Sequence, residues 1–209
     1  MCFSATASFT AAGVLAPIGV YSLVKAKPKE RLLALMPLLF AIQQIIEGIQ
    51  WLSIGQGATC QMAGYGFLFF AFILWPIYAP LASMSIEPDA ARRATLQRLV
   101  PFGIVLALLL IGLTLMRSLS IQVYDKAIFY NIGWPASVLG VVAFLYACYT
   151  SLVFFLSSHF WVRLLGVVSL FSAAIAAYVY MVSFTSVWCF FEAVLSSIIA
   201  IYFYTRTSK

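Results

Sequence analysis

The sequence predicts an all-α integral membrane protein, a bundle of seven transmembrane helices with the N-terminus outside and the C-terminus in the cytoplasm. Three observations carry that expectation. Of 209 residues, 64% are hydrophobic and 9% charged, and the mean hydropathy is +1.04, far from the composition of a water-soluble domain. Apolar runs of about 17–25 residues, the length that crosses a bilayer as helix, recur at 5–24, 32–53, 63–84, 99–116, 135–156, 163–184 and 187–204. The basic residues sort into alternate loops. Seven spans leave almost nothing for a soluble domain, so residues 1–209 read as one seven-helix transmembrane domain with the lipid bilayer as its first partner.

The first run has no basic residue before it and no small-x-small cleavage site with a polar follow-on, so it reads as a retained helix and not a removed leader. Its Ala5, Ser8, Ala12, Ala16 and Gly19 share one face, and small residues let helices approach closely in lipid. Lys25, Lys27, Lys29 and Arg31 follow, and the positive-inside rule puts that loop in the cytoplasm. The second span holds the polar group considered below, and the uncharged loop from Ile54 to Met62 falls outside. In the third span Pro76 and Pro80 each remove a backbone donor and tend to kink the helix, which makes them a candidate gate. Arg92, Arg93 and Arg98 return the next loop to the inside.

After the fourth span, Tyr124, Phe129, Tyr130 and Trp134 suit the interfacial belt, and this loop is expected to lie along the outer surface. The fifth span has a small-residue row at Gly140, Ala143, Ala147 and Ser151; the sixth has one at Ser169, Ser172, Ala173 and Ala176. Arg163, Arg206 and Lys209 fall inside. Of the twelve basic residues, Arg117 and Lys126 alone fall outside. The net charge of +6 is therefore mostly a sorting signal, and no nucleic-acid partner is implied. The segment RLLALMPLLFA at Arg31 can be laid on RLLGVVSLFSA at Arg163 with five matches, a hint of the internal repeats common in transporters.

The second span is unusual because Gln43, Glu47 and Gln50, with Gln44 and Trp51 alongside, are three, four or seven residues apart and share one helical face. The seventh span begins outside and carries Cys189, Glu192 and Ser196 at similar spacing. The topology places Glu47 and Glu192 at matching depth in the outer leaflet. An ionised carboxylate inside a bilayer costs a few kcal/mol even on insertion scales, so each should face a cavity, a partner or a proton. A proton or cation shared between them is one expectation; pairing of either with Arg117, or a purely structural bond to the amides, is another.

Cys2, Cys60 and Cys189 fall at the same outer level, either as a thiol cluster or with a disulfide, Cys60 to Cys189 being the simplest. Cys148 lies deeper and reads as packing. The lone histidine, His159, excludes a bis-histidine haem and a multi-histidine zinc hydrolase; there is no Cys-x-x-Cys relay and no Gly-rich phosphate loop.

The opening MCFSATASF, together with QQIIEG at Gln43 and with Trp51, resembles a family of small multi-pass bacterial membrane proteins of unknown function. That resemblance implies a bacterial origin and a membrane location. It carries over Cys2, Gln43, Gln44, Glu47 and Trp51 as motif positions and implies no activity.

Taken together, these readings lean to a non-enzymatic protein of the bacterial inner membrane. An outward-facing polar pocket formed by Gln43, Gln44, Glu47, Gln50, Trp51, Glu192 and Ser196 would bind or transport a small cation, proton or polar solute. The alternatives are a membrane enzyme using a thiol and a carboxylate on a lipid or quinone, a metal-binding protein, since thiolates and carboxylates suit zinc or copper, and a scaffold subunit. No cofactor is predicted; a metal ion and a homo-oligomer stay open.

Overall fold

A computed structural model describes residues 4–207, so Cys2 and the first part of the N-terminal motif lie outside the described residues. Among those residues, seven helical stretches are long and apolar enough to cross a membrane. Helix α1 (Ala5–Lys25) starts at Ser4, whose hydroxyl accepts from the Ala7 N–H at 3.2 Å, relieving one of the unpaired donors of a helix start. It stops before Pro28, and a 3-10 turn (Pro28–Glu30) reverses the chain into α2 (Arg31–Ser53). The small face of α1 buries Ser8, Ala12, Gly19 and Ser22 against α2. At Gly19 a Cβ would stand 2.8 Å from the Leu38 backbone nitrogen, so the two helices meet nearly backbone to backbone.

The third stretch runs over Ala58–Ile86, five residues longer at its start than hydropathy predicts. Ala58–Met62 is too polar to read as a span, yet Cys60 is buried and Gln61 donates to the Leu119 carbonyl at 3.0 Å. The stretch consists of α3 (Ala58–Leu68), a π-helical turn (Phe69–Leu74) and α4 (Trp75–Ile86). In the wider turn the Trp75 N–H donates to the Phe70 carbonyl five residues back. The next donor in that pattern would be Pro76, which has none, and the Tyr146 hydroxyl donates to the stranded Ala71 carbonyl instead. Pro80 likewise lacks a donor for the Pro76 carbonyl, which receives the Tyr149 hydroxyl at 3.1 Å. The prolines thus replace backbone bonds with tyrosine bonds from a neighbouring helix. Tyr146→Phe is expected to lower stability by about 1–3 kcal/mol, the cost of a buried carbonyl left unpaired. Tyr78→Phe, which breaks an exposed bond to the Leu32 carbonyl, should cost less than half of that. Equal shifts in thermal unfolding of the two variants would sink the idea.

Helix α5 (Ala90–Leu115) begins nine residues before the predicted span, because its first turns, AARRATLQR, are helical but polar. Asp89 caps it, accepting from the Arg92 N–H at 2.8 Å. The following segment was expected along the surface and instead forms a hairpin of β1 (Ser120–Tyr124) and β2 (Ala127–Asn131), antiparallel with Ser120 opposite Asn131. Its turn residues Asp125 and Lys126 have φ of 45° and 60°. That conformation is usually announced by Asn-Gly or Asp-Gly, which is why the sequence is silent about it. Ala127, Ile128 and Tyr130 are buried, so the hairpin packs into the protein.

Helices α6 (Ala136–Phe155) and α7 (Phe160–Val179) pack along part of their small rows, with the hydroxyls of Ser151 and Ser169 at 3.0 Å. Gly140 has open space around it and does not take part. The sixth predicted span ran to 184, but the helix ends at Val179; the apolar stretch after it is a turn with no glycine or proline to mark it. The last stretch is α8 (Phe184–Leu195) and α9 (Ile198–Thr207), where 187–204 read as continuous. The break falls at Ser196 and Ser197. There the Ser196 hydroxyl donates to the Ala193 carbonyl at 2.6 Å, a local bond of the kind that competes with the helix ladder.

The main core lies between α2, α4, α6, α7, α8 and α9, around Leu33, Phe40, Trp75, Val153, Leu165 and Ile199. Helix α5 buries only 22% of its most apolar window and turns Phe102, Val105 and Leu108 outward. Such a surface is compatible with lipid and costly in water.

At the end where α4 turns into α5, Glu87 is 3% exposed. Its carboxylate accepts from the Ser158 N–H at 2.7 Å, the Ser158 hydroxyl and the Asp89 N–H at 3.2 Å, tying this loop to the α6–α7 loop. Burial pushes the Glu87 carboxyl up, but the Ser158 bonds, the Asp89 N–H and the charge of His159 outweigh it and hold the group below its ordinary value. A depressed carboxyl stabilises fully above the ordinary glutamate value, and the effect fades as pH falls through the lower folded value. Glu87→Gln should therefore cost about 1–2 kcal/mol at neutral pH, with the gap to the parent closing below the ordinary glutamate range. A gap that stays constant into acid would overturn this assignment.

Candidate functional site

The inward face of α2 is the most polar surface in the interior. Gln43, Gln44, Glu47 and Gln50 are each 0% exposed, as their shared helical face requires. The Gln44 amide donates to Glu47 Oε2 at 3.1 Å, and the Ser186 hydroxyl in the first turn of α8 donates to Glu47 Oε1. Trp75 Nε1 donates to Gln43 Oε1 at 2.8 Å while its ring stacks on Phe40 with centroids 3.9 Å apart. Gln50 Nε2 donates to the Cys60 sulfur at 3.0 Å.

Around these bonds, several buried polar atoms have no partner among the described residues: Gln43 Nε2, Gln44 Oε1, Gln50 Oε1, Trp51 Nε1 and the Tyr130 hydroxyl. Buried polar groups are nearly always paired with protein or water, so this concentration on one face is notable. Tyr130 reaches the group from the hairpin, its ring stacked on Phe67 at 4.7 Å. Burial, then Glu47, Cys189 and Cys60, raise its phenol well above the ordinary tyrosine value. The hairpin therefore brings Tyr130 to the polar group on α2.

Glu192 is half-buried and keeps different company. Its Oε1 lies 3.1 Å from the Ser172 hydroxyl, which also lies 2.8 Å from the Ser169 carbonyl and accepts from Trp188 Nε1 at 3.1 Å. Here the expectation of one site shared by the two glutamates is corrected. Glu47 meets α8 at Ser186, six residues before Glu192, a separation of roughly 9 Å of rise and about a third of a turn in azimuth, and each carboxylate has its own hydrogen-bond set. Ser196, with its proton directed to Ala193, stands with Glu192 and not with Glu47.

Glu192, Ser196 and Cys189 line a central cavity of about 30 Å³ together with Trp75, Tyr146 and Trp188. Cys60, Cys148 and Cys189 are thiols, not disulfides, so the expected Cys60 to Cys189 link is absent; Cys60 is engaged by Gln50 instead. Arg117 lies over the Trp134 ring, 4.8 Å from its centroid, where it had been a candidate partner for a glutamate. Among the described residues, no three His, Cys, Asp or Glu groups stand together as metal ligands.

The residues that complete both sites, Ser172, Ser186, Tyr130, Tyr146 and Trp188, were not singled out as site residues from sequence. Serines and tyrosines inside apolar runs read as packing, and only the partner helix shows what they hold.

Compared with known proteins, residues 1–209 match the model of a family described as a family of unknown function (DUF6629). No curated protein and no solved structure matches the chain.

Proposed function

The chain belongs to this family of unknown function, and from that premise, which supplies no activity, we propose that it is a multi-pass protein of the bacterial inner membrane that binds and passes a proton, small cation or small polar solute. It forms one seven-helix domain oriented with its N-terminus outside, so that the hairpin and the Glu47 group lie toward the outer side. The observation that carries this reading is Glu47, 0% exposed and held by two neutral donors, Gln44 and Ser186. Among the described residues Glu47 has no cationic partner; a buried carboxylate so placed is costly, and such a group within a membrane bundle usually marks an ion or proton path. Serine donates to an ionised carboxylate and accepts from a protonated one, so the Ser186 contact survives in both states. Gln44 Oε1, Gln50 Oε1 and the Tyr130 hydroxyl are further buried polar atoms beside Glu47 with bonding capacity to offer a solute.

The test is flux into proteoliposomes, read by an internal pH dye for protons and by tracer uptake for monovalent cations. Flux above that of protein-free vesicles is expected, and Glu47→Gln should remove most of it. Leakage identical with and without protein would overturn the reading.

A further inference from the structure

We infer that the central cavity at Glu192 is a binding site for a bare monovalent cation of water's size, with the hydrogen-bonding chemistry of ammonium. This deepens the transport reading and rests on it for its purpose, but the site stands on its own geometry. The cavity of about 30 Å³ suits one or two water-sized species and has no room for a hydrated ion. Three of its hydroxyls have committed their protons to backbone: Thr150 to the Tyr146 carbonyl at 2.9 Å, Ser196 to the Ala193 carbonyl at 2.6 Å, and Tyr146 to the Ala71 carbonyl; the fourth, Ser169, shares a hydrogen bond with Ser151 at 3.0 Å. What those three offer the cavity is lone pairs. Glu192 adds a carboxylate, and among the described residues no Lys, Arg or His lines the space.

The occupant must therefore be rich in donors and positive in charge. Aromatic walls from Trp75, Tyr146 and Trp188 favour a weakly hydrated cation through their ring electrons. Magnesium and calcium demand about six or more oxygen ligands, which a carboxylate and a few hydroxyls do not supply. Ammonium fits the lone pairs with directed N–H bonds, whereas potassium would share only size and charge.

Ser172 gives an independent indication that Glu192 can change its charge partner. Its one hydroxyl proton has two acceptors in reach, the Ser169 carbonyl and Glu192 Oε1. It can point to Glu192 when that carboxylate is alone and to Ser169 when a cation or proton occupies the other side.

The experiment is a titration of the full chain in lipid nanodiscs, following tryptophan fluorescence, since Trp75 and Trp188 line the cavity. Ammonium, potassium and sodium chlorides are compared against choline chloride at constant ionic strength. A saturable response to ammonium, at least tenfold tighter than to potassium, is expected. Glu192→Gln should weaken it at least tenfold and Thr150→Val, which deletes lone pairs at equal volume, several-fold; Gly112→Ala, in open space, should leave it unchanged. An equal or tighter response to potassium overturns the ammonium assignment, and no saturable response to any of the salts overturns the site. Binding without flux would refute the transport reading alone, and flux without ammonium binding would refute this one alone.

Discussion

Glu47→Ala is expected to abolish flux and also to destabilise the protein by about 2–5 kcal/mol, whereas Glu47→Gln should abolish flux at little cost in stability. The difference follows from the two donors that the carboxylate receives. Alanine leaves Gln44 Nε2 and the Ser186 hydroxyl without an acceptor in a site that is 0% exposed, and each buried group so orphaned costs about 1–3 kcal/mol. Glutamine keeps the volume and one carbonyl oxygen, so at least one donor remains satisfied, while its amide neither ionises nor carries a proton. Flux should fall at least tenfold in both variants, with thermal unfolding in detergent lowered clearly only for alanine. Retained flux in a folded Glu47→Gln protein would show that this carboxylate is structural. Equal destabilisation by both variants would show that the charge itself, rather than its hydrogen bonds, holds α2 to α8.

Glu47 was legible in sequence because its neighbours at 43 and 50 repeat with helical spacing, so a polar face within an apolar run was visible before any partner was known. Glu192 was legible for the same reason, but its relation to Glu47 was not. Matching depth says nothing about azimuth, and the rotation between Ser186 and Glu192 along α8 sends the two carboxylates to different neighbours. The seven apolar stretches were readable from hydropathy, while their ends were readable only where composition and backbone agree. Helix α5 starts in AARRATLQR, which is helical without being apolar, and α7 stops in YMVSF, which is apolar without being helical. The hairpin was hidden by a turn built on Asp125 and Lys126, residues that do not announce a positive φ. Pro76 and Pro80 were visible as breaks in the ladder, but the tyrosines that mend it sit some seventy residues away in sequence and carry no local signal.

Those same bonds define the position with the largest expected effect on stability. Gly103 on α5 lies against the Pro76 carbonyl oxygen, and a Cβ there would overlap that oxygen and stand 2.5 Å from the Tyr149 hydroxyl. Gly103→Val should therefore drive α5 away from α4 and pull Tyr149 off the carbonyls of Pro76 and Leu99, to which it lies at 3.1 and 2.9 Å. Overpacking against flexible side chains costs about 1–3 kcal/mol. Here the obstacle is backbone, and a buried carbonyl loses its donor as well, so a loss of about 3–5 kcal/mol is expected, roughly 6–20 °C in unfolding temperature for a chain of this size. Gly112→Ala lies about two and a half turns further along the same helix, on the opposite face, with nothing nearby, and should be neutral or stabilising by up to about 1 kcal/mol through helix propensity. The pair separates packing from glycine's intrinsic cost to a helix. If both substitutions shifted unfolding alike, the close seat of α5 on the proline segment would be wrong, and with it the account of why two prolines are tolerated in the middle of a span.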